Sequence, residues 1–399
     1  KGVTYIRWGR KDCPAGADIV YTGQVSGNDY RNTGDGVNNL CLPNNPENGQ
    51  HQSYTNDQVY GGEYRLTSSV KPSGWSESLN QKEIPCSVCY QQRRSAVLMI
   101  PGRKTCYKGW NSEYHGYLMS DHKTHHRRDY ACVDINAEPL DNLNGGASGA
   151  LFYPLRTNCG SLRCPPYTDS NLRNISFQFS HDKDGKNQDV FVVCDICLSN
   201  CIAGFFGYSY FILFISLGVT YVRWGKKNCP KGADTVYTGQ AGGNYQAHKG
   251  GGVNYLCLPN DPENGQHQSY DNAQGYGGEY EVSSTSKPSG WSGSMGSKEV
   301  PCSVCYRKQR SAVLMIPGRK TCYKGWNSEY NGYLMSDHNV YSKKDYACED
   351  KNAEQLDNKN GDENGALFYT LRTKCGSLRC PPYTNEADVL CFVCTKSNV

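Results

Sequence analysis

The side chains of this chain best placed to do chemistry are its 21 cysteines, because they recur at fixed spacing. Four times a Cys stands three residues ahead of a Gly and eight ahead of a Tyr, with another Gly two further on. The copies are Cys13, Gly16, Tyr21 and Gly23; Cys106, Gly109, Tyr114 and Gly116; Cys229, Gly232, Tyr237 and Gly239; and Cys322, Gly325, Tyr330 and Gly332. Each is closed some 70 to 90 residues later by a C-x-[VI]-C ending, at Cys86/Cys89, Cys194/Cys197, Cys302/Cys305 and Cys391/Cys394. Thiols so arranged could pair as disulfides, hold zinc, or run a redox C-x-x-C.

Spacing and compartment favour disulfides. Zinc needs its thiolates converging as a tetrahedron, and the two C-x-x-C endings of a unit lie 108 residues apart in the first unit and 89 in the second, far beyond zinc-ribbon spacing. A thioredoxin-like site places its C-x-x-C where a strand meets a helix, whereas Val88, Ile196, Val304 and Val393 sit inside strand-like endings. So many thiols are ordinary staples outside the cell and a hazard in a reducing compartment. Ten fall in each repeat at matching places, and Cys201 is left over between them. On an extended strand the two cysteines of an ending point to opposite faces and do not easily bond each other. Each must find a partner in its own half, Cys13 or Cys41 in the first, and Cys106, Cys132, Cys159 or Cys164 in the second. Cys159/Cys164, repeated as Cys375/Cys380, could close a small loop, which leaves two long bridges per half.

The elements that must position these thiols form a double duplication. Cys13 to Cys106 and Cys229 to Cys322 are both 93 residues, and Cys13 to Cys229 and Cys86 to Cys302 are both 216. A half near 95 residues therefore sits inside a unit near 190, and periods this long are small domains, not solenoid repeats. Arg94 to His122 matches Arg310 to His338 everywhere except His115 against Asn331. With 30 Tyr and 43 Gly, the composition suits short strands joined by turns. Val3–Trp8, Ala96–Ile100, Ala150–Leu155 and Val190–Cys194 read as strands, as do Val219–Trp224, Ala312–Ile316, Ala366–Leu371 and Val389–Val393. No stretch keeps helical periodicity over three turns. The fold class expected is all-β and disulfide-rich, with subdomains at 1–90, 91–197, 218–306 and 307–399 and an apolar join at 198–217.

Other constellations carry less. His122, His125 and His126 beside Asp121 and Asp129 could suggest a metal site, but the second unit keeps only His338 of the three, so a solvated basic loop is the reading. Asp357 to Asn364 lacks EF-hand spacing and reads as a turn. Trp110, Tyr114 and Tyr117, with Trp326, Tyr330 and Tyr333, read as core or interface, and exposed aromatics beside Asn and Gln could instead grip sugars. No G-x-S-x-G, H-E-x-x-H or P-loop occurs, so neither an enzyme, a metal nor a cofactor is expected. A net charge of +4 without a basic run argues against nucleic acid. Asn174-Ile175-Ser176 is an N-glycosylation sequon.

Gly2-Val3-Thr4-Tyr5-Ile6-Arg7-Trp8-Gly9, Leu40-Cys41-Leu42-Pro43, Tyr60-Gly61-Gly62-Glu63-Tyr64, Pro85-Cys86-Ser87-Val88-Cys89, Gly116-Tyr117-Leu118-Met119 and Cys159-Gly160-Ser161-Leu162-Arg163-Cys164 resemble the non-collagenous domain of invertebrate short-chain, spongin-like collagens. The same words return from Gly218 to Cys394. More distantly, the two-halves plan is similar to the carboxy-terminal domain of type IV collagen. That resemblance implies the pairs Cys13–Cys89, Cys41–Cys86, Cys106–Cys197, Cys132–Cys194 and Cys159–Cys164, then Cys229–Cys305, Cys257–Cys302, Cys322–Cys394, Cys348–Cys391 and Cys375–Cys380. It also implies a secreted, extracellular-matrix protein that self-associates, in trimer fashion, and joins collagenous or other matrix chains. The rival expectation is an extracellular carbohydrate-binding, lectin-like module.

The chain departs from the family in several places. It has no Gly-X-Y run, so any collagenous stem lies upstream of Lys1 or is absent. The Met and Lys that cross-link type IV domains have no clear counterparts near Trp75 or Tyr383. Cys164 to Cys194 spans 30 residues against 11 from Cys380 to Cys391, a polar insertion read as an exposed loop. Ile202 to Val219 is apolar and uncharged, but a single span would put one disulfide-rich unit in the cytosol, so a membrane is not expected. A remnant signal-peptide core or translated non-coding sequence is the preferred reading, with a buried linker as the alternative. Cys201 is read as incidental.

Overall fold

A computed structural model describes residues 2–51, 58–66, 71–72, 74–122, 124–126, 128–141, 143–145, 149–155, 193–200, 218–248, 252–261, 276–357 and 365–398. The described residues are all-β apart from two single 3-10 turns, Glu77–Leu79 and Gly293–Met295. The first unit contributes β1 (Gly2–Trp8), β2 (Asp18–Gly27), β3 (Leu40–Pro43), β4 (Gln58–Tyr64) and β5 (Pro85–Gln92), then β6 (Arg94–Pro101), β7 (Trp110–Ser120), β8 (Ala131–Asp134), β9 (Ala150–Pro154) and β10 (Val193–Asn200). The second contributes β11 (Gly218–Trp224), β12 (Asp234–Gly243), β13 (Leu256–Pro259), β14 (Tyr276–Tyr280) and β15 (Pro301–Lys308). It goes on with β16 (Arg310–Pro317), β17 (Asn327–Ser336), β18 (Ala347–Asp350), β19 (Ala366–Thr370), β20 (Arg372–Thr373) and β21 (Leu390–Ser397).

Two sheets result, with the same plan. One runs β4-β2-β5-β1-β8-β7-β10-β6 and the other β14-β12-β15-β11-β18-β17-β21-β16, strand for strand. In each, β5 or β15 lies between two antiparallel neighbours: Cys89 faces Tyr5 on β1 and Ile19 on β2, and Cys305 faces Tyr221 on β11 and Thr235 on β12. The halves of a unit are joined by parallel contacts, Trp8 beside Val133 and Gly62–Tyr64 beside Ala150–Phe152, repeated as Trp224 beside Glu349 and Gly278–Tyr280 beside Ala366–Phe368.

The repeated sequence pattern now has a physical cause at each position. Its first glycine, Gly16, Gly109, Gly232 or Gly325, has φ of 81° to 89°, a left-handed turn that side chains resist. Its tyrosine donates from the hydroxyl to the carbonyl of the next cysteine along: Tyr21 to Cys41 at 3.1 Å, Tyr114 to Cys132 at 3.0 Å, Tyr237 to Cys257 at 3.0 Å and Tyr330 to Cys348 at 3.1 Å. Its last glycine sits where a Cβ would meet a neighbouring strand's carbonyl oxygen at 2.0 Å or less, that of Leu42, Val133, Leu258 or Glu349.

Seven disulfides close the described halves: Cys13–Cys89, Cys41–Cys86, Cys229–Cys305, Cys257–Cys302, Cys322–Cys394, Cys348–Cys391 and Cys375–Cys380. The first six nest, because adjacent cysteines of an ending leave the strand on opposite faces. Disulfides in this number persist in an oxidising compartment.

Candidate assembly interface

The feature of the fold that reaches beyond a unit is the contact between the first half of unit one and the second half of unit two. Strand β20 keeps main-chain bonds to Glu386 and Ala387 of its own unit and also adds in parallel to β4 of unit one, Arg372 beside Gln58 and Thr373 beside Val59. Isolated bridges extend the pairing at Gly36 with Lys344 and at His51 with Ala387. Main-chain bonds follow: Val37 N–H donates to the Lys344 carbonyl at 2.8 Å, Lys344 N–H to Asp35 at 3.1 Å, and Lys374 N–H to Val59 at 2.9 Å. A chain edge that would otherwise invite foreign strands is thereby paired.

The apolar cores are shared across this boundary. Leu40, Leu42 and Val59 of unit one pack in a single cluster with Leu371, Leu378, Tyr383 and Val389 of unit two. Tyr21 and Trp75 share another with Ile316 and Phe392. Rings meet across it as well: Tyr21 stacks on Tyr323 at 5.2 Å, and Tyr90 meets Trp326 edge-on at 5.9 Å.

Polar side chains set the register. The Tyr383 hydroxyl donates to the Pro43 carbonyl at 2.8 Å, and the Tyr323 hydroxyl to Asn45 Oδ1 at 2.6 Å. Gln24 is read twice, its Nε2 donating to the Ser377 carbonyl at 2.5 Å and its Oε1 accepting from Arg379 N–H at 3.0 Å. Glu47 caps the Gly318–Thr321 turn, accepting from Lys320 N–H at 2.9 Å and Thr321 Oγ1 at 2.8 Å, with Arg319 at 3.6 Å. Burial pushes the Glu47 carboxyl up, but those bonds and the Arg319 charge outweigh it and hold it below the usual range.

At the middle of the boundary lie buried charges. Asp35, Lys343, Lys344, Arg128 and Asp337 are each buried. Desolvation raises the Asp35 carboxyl to about 7, against the pull of Lys343 and Arg128, and lowers the Lys343 ammonium to about 7. Beside them a cavity of about 530 Å³ is lined by His125, His126, His248, Tyr341 and Lys343 among others.

The expected site residues are placed as follows. Each of the seven disulfides given above joins a pair implied by the resemblance. Cys106 and Cys132 are also disulfide-bonded, and Cys194 and Cys197 lie on β10, while Cys159, Cys164, Cys201 and the sequon Asn174 lie outside the described residues. Most of the candidate metal loop is described: His125 Nδ1 meets Asp121 Oδ1 at 2.6 Å, and His122 Nδ1 meets Thr124 Oγ1 at 2.8 Å. Among the described residues, no three His, Cys, Asp or Glu side chains are arranged to hold a metal ion. Tyr114 and Tyr330 are core residues, Tyr117, Trp326 and Tyr333 pack at the margins of clusters, and Trp110 is partly buried on β7. Of the expected turn from Asp357 onward, residues 358–364 lie outside the described residues, as does the join from 201 to 217. Among the described residues, no helix is long and apolar enough to cross a membrane.

Sequence reasoning missed Gln24, Asn45, Glu47, Ser377 and Tyr383 as interface residues. Nothing in their local pattern marks them, since each acts on a partner more than 270 residues away. No family model matches the chain.

Proposed function

We propose that this is a secreted structural protein of the extracellular matrix, built of two tandem units of two homologous β subdomains each, like the non-collagenous domains of spongin-like and type IV collagens, whose purpose is to self-associate and tie collagenous or other matrix chains together. The observation that supports it best is the boundary between the units: a strand that pairs across it, shared apolar cores and side chains such as Gln24 that bond only across it. That is how an association module is built, with a buried apolar centre and polar groups fixing register. Disulfide clamps within each half keep such a surface rigid, which lowers the ordering cost of binding. The test is light scattering of the secreted full chain together with a glycan array. Self-association without saturable sugar binding is the expected result; a persistent monomer that binds a sugar saturably would replace the matrix reading with the lectin one.

A further inference from the structure

Duplication gives this molecule an internal control: the same sequence words occur once inside the boundary and once outside it. Leu40 and Leu42 on β3 are 6% and 0% exposed, whereas the same words on β13, Leu256 and Leu258, are 49% and 41% exposed. On the opposite side, Leu314 and Tyr323 pack against the shared core, whereas their counterparts Leu98 and Tyr107 are exposed. Tyr346 lies against Gly36, where a Cβ would come within 1.8 Å of its ring, yet its counterpart Tyr130 is 59% exposed and the counterpart glycine, Gly252, has no atom within 4 Å of such a Cβ. The chain thus carries one satisfied contact and both halves of a second one, unsatisfied.

We propose that these two free faces bind each other between copies of this chain, the first-half face of unit two in one molecule taking the second-half face of unit one in the next. This rests on the self-association reading above and names its surfaces. The faces are already shaped for it. Arg103 lies over the Tyr107 ring at 4.4 Å, as Arg319 lies over Tyr323 at 4.5 Å in the satisfied contact. The receiving loop is held alike in both units: Asn260 Nδ2 donates to Thr238 Oγ1 at 3.2 Å and Asn44 Nδ2 to Thr22 Oγ1 at 3.1 Å. Where Asn45 accepts from Tyr323 with its Oδ1 and from Arg319 with its main-chain carbonyl, the counterpart is Asp261, an exposed carboxylate that would lie beside Arg103 with opposite charge. Asp35 is replaced by Gly251, so the contact between chains loses a buried carboxyl that desolvation penalises. Because the two faces differ, the contact is head to tail, and copies add until a ring closes or a filament grows.

Two full-length variants test this, each altered only at exposed positions so that folding is kept. Gly252→Trp with Leu258→Arg blocks the receiving face, and Leu98→Arg with Tyr130→Asp blocks the inserting one. By light scattering, the parent chain is expected to form species heavier than one chain, 44.4 kDa. Each variant alone is expected to show loss of every heavier species, and an equimolar mixture to give two-chain species and nothing larger. If the parent associates and either variant alone associates equally well, this contact is wrong while the matrix reading stands. A parent that stays monomeric overturns the contact, and saturable sugar binding by that monomer overturns the matrix reading too. Asp261→Arg and Arg103→Asp give a second readout: each should weaken association, and the doubly altered chain should recover it, a rescue that a merely structural role of either residue does not produce.

Discussion

The buried carboxyl of Glu349 is an error that the molecule itself corrects elsewhere, and replacing it should stabilise the fold. Glu349 on β18 is fully buried, and its counterpart on β8, equally buried, is Val133. The pocket is the same in both units. A Cβ on Gly9 would meet Val133 Cγ1 at 2.8 Å, and one on Gly225 would meet Glu349 Oε2 at 2.4 Å. Neither carboxyl oxygen has a partner in good hydrogen-bond geometry: the Tyr280 hydroxyl is near enough to pull the carboxyl down a little, but it is directed at the Glu354 carbonyl at 3.1 Å. Desolvation first, and the neighbouring Asp350 second, raise this carboxyl well above its ordinary value. Glu349→Val removes an unsatisfied buried acceptor worth about 1–3 kcal/mol and keeps a β-branched residue on a strand, so a net gain near that size is expected at pH 7. The sign with pH follows from linkage. The folded carboxyl holds its proton where the unfolded one has lost it, so the parent's contribution is intact below about pH 4 and is lost as pH rises toward the folded value. Guanidinium midpoints of parent and variant between pH 4 and 8 should therefore diverge as pH rises. A variant less stable at pH 7, or a gain independent of pH, refutes the reasoning.

Other consequences are measured the same way. Leu42→Ala should cost about 2–5 kcal/mol, against below about 1.5 kcal/mol for Leu258→Ala, at protein concentrations where the chain is monomeric; equal costs would deny that the boundary buries Leu42. Removing Cys41–Cys86, whose cysteines are 45 residues apart, should cost about 4 kcal/mol by loop entropy, and removing Cys375–Cys380, five apart, about 2 kcal/mol; thermal unfolding of the double-alanine variants compares them. Asp35, raised to about 7 in the fold, gives stability that is present near pH 4 and lost as pH approaches 7, so Asp35→Asn should flatten the parent's decline over that interval in urea titrations.

Much of this architecture could be read from residue types alone, and what could not shares one physical reason. The β1, β6, β11 and β16 words are short β-branched or apolar runs, and local pattern was enough to place them. The cysteine frame was legible because the same Cys-Gly-Tyr-Gly spacing and the same C-x-[VI]-C ending recur four times, although the geometric argument left the partner of each thiol open and only the resemblance named it. Strand β20 was not legible, since two residues carry no periodicity, and neither was the role of Tyr383, whose hydroxyl finds its acceptor 340 residues away. Glu349 was invisible for the opposite reason: a charged residue on a strand reads as solvent-facing until the neighbouring strands show that this face is closed.

Covalent and non-covalent bonds are divided in this fold in a way that bears on assembly. Each of the seven recorded disulfides stays within one half of one unit, none crossing from unit one to unit two. The boundary between units is held by packing, by a strand that pairs across it and by hydrogen bonds such as those of Gln24. Sulfur therefore fixes the shape of the surfaces and leaves their pairing reversible. Covalent connection of the two units raises their effective concentration for each other, which makes the internal contact the first to form. The second contact proposed above, with no such advantage, would form only when other copies are concentrated enough. On that proposal, a chain built this way would stay dispersed while dilute and join its neighbours where it accumulates, through surfaces that match those already paired within itself.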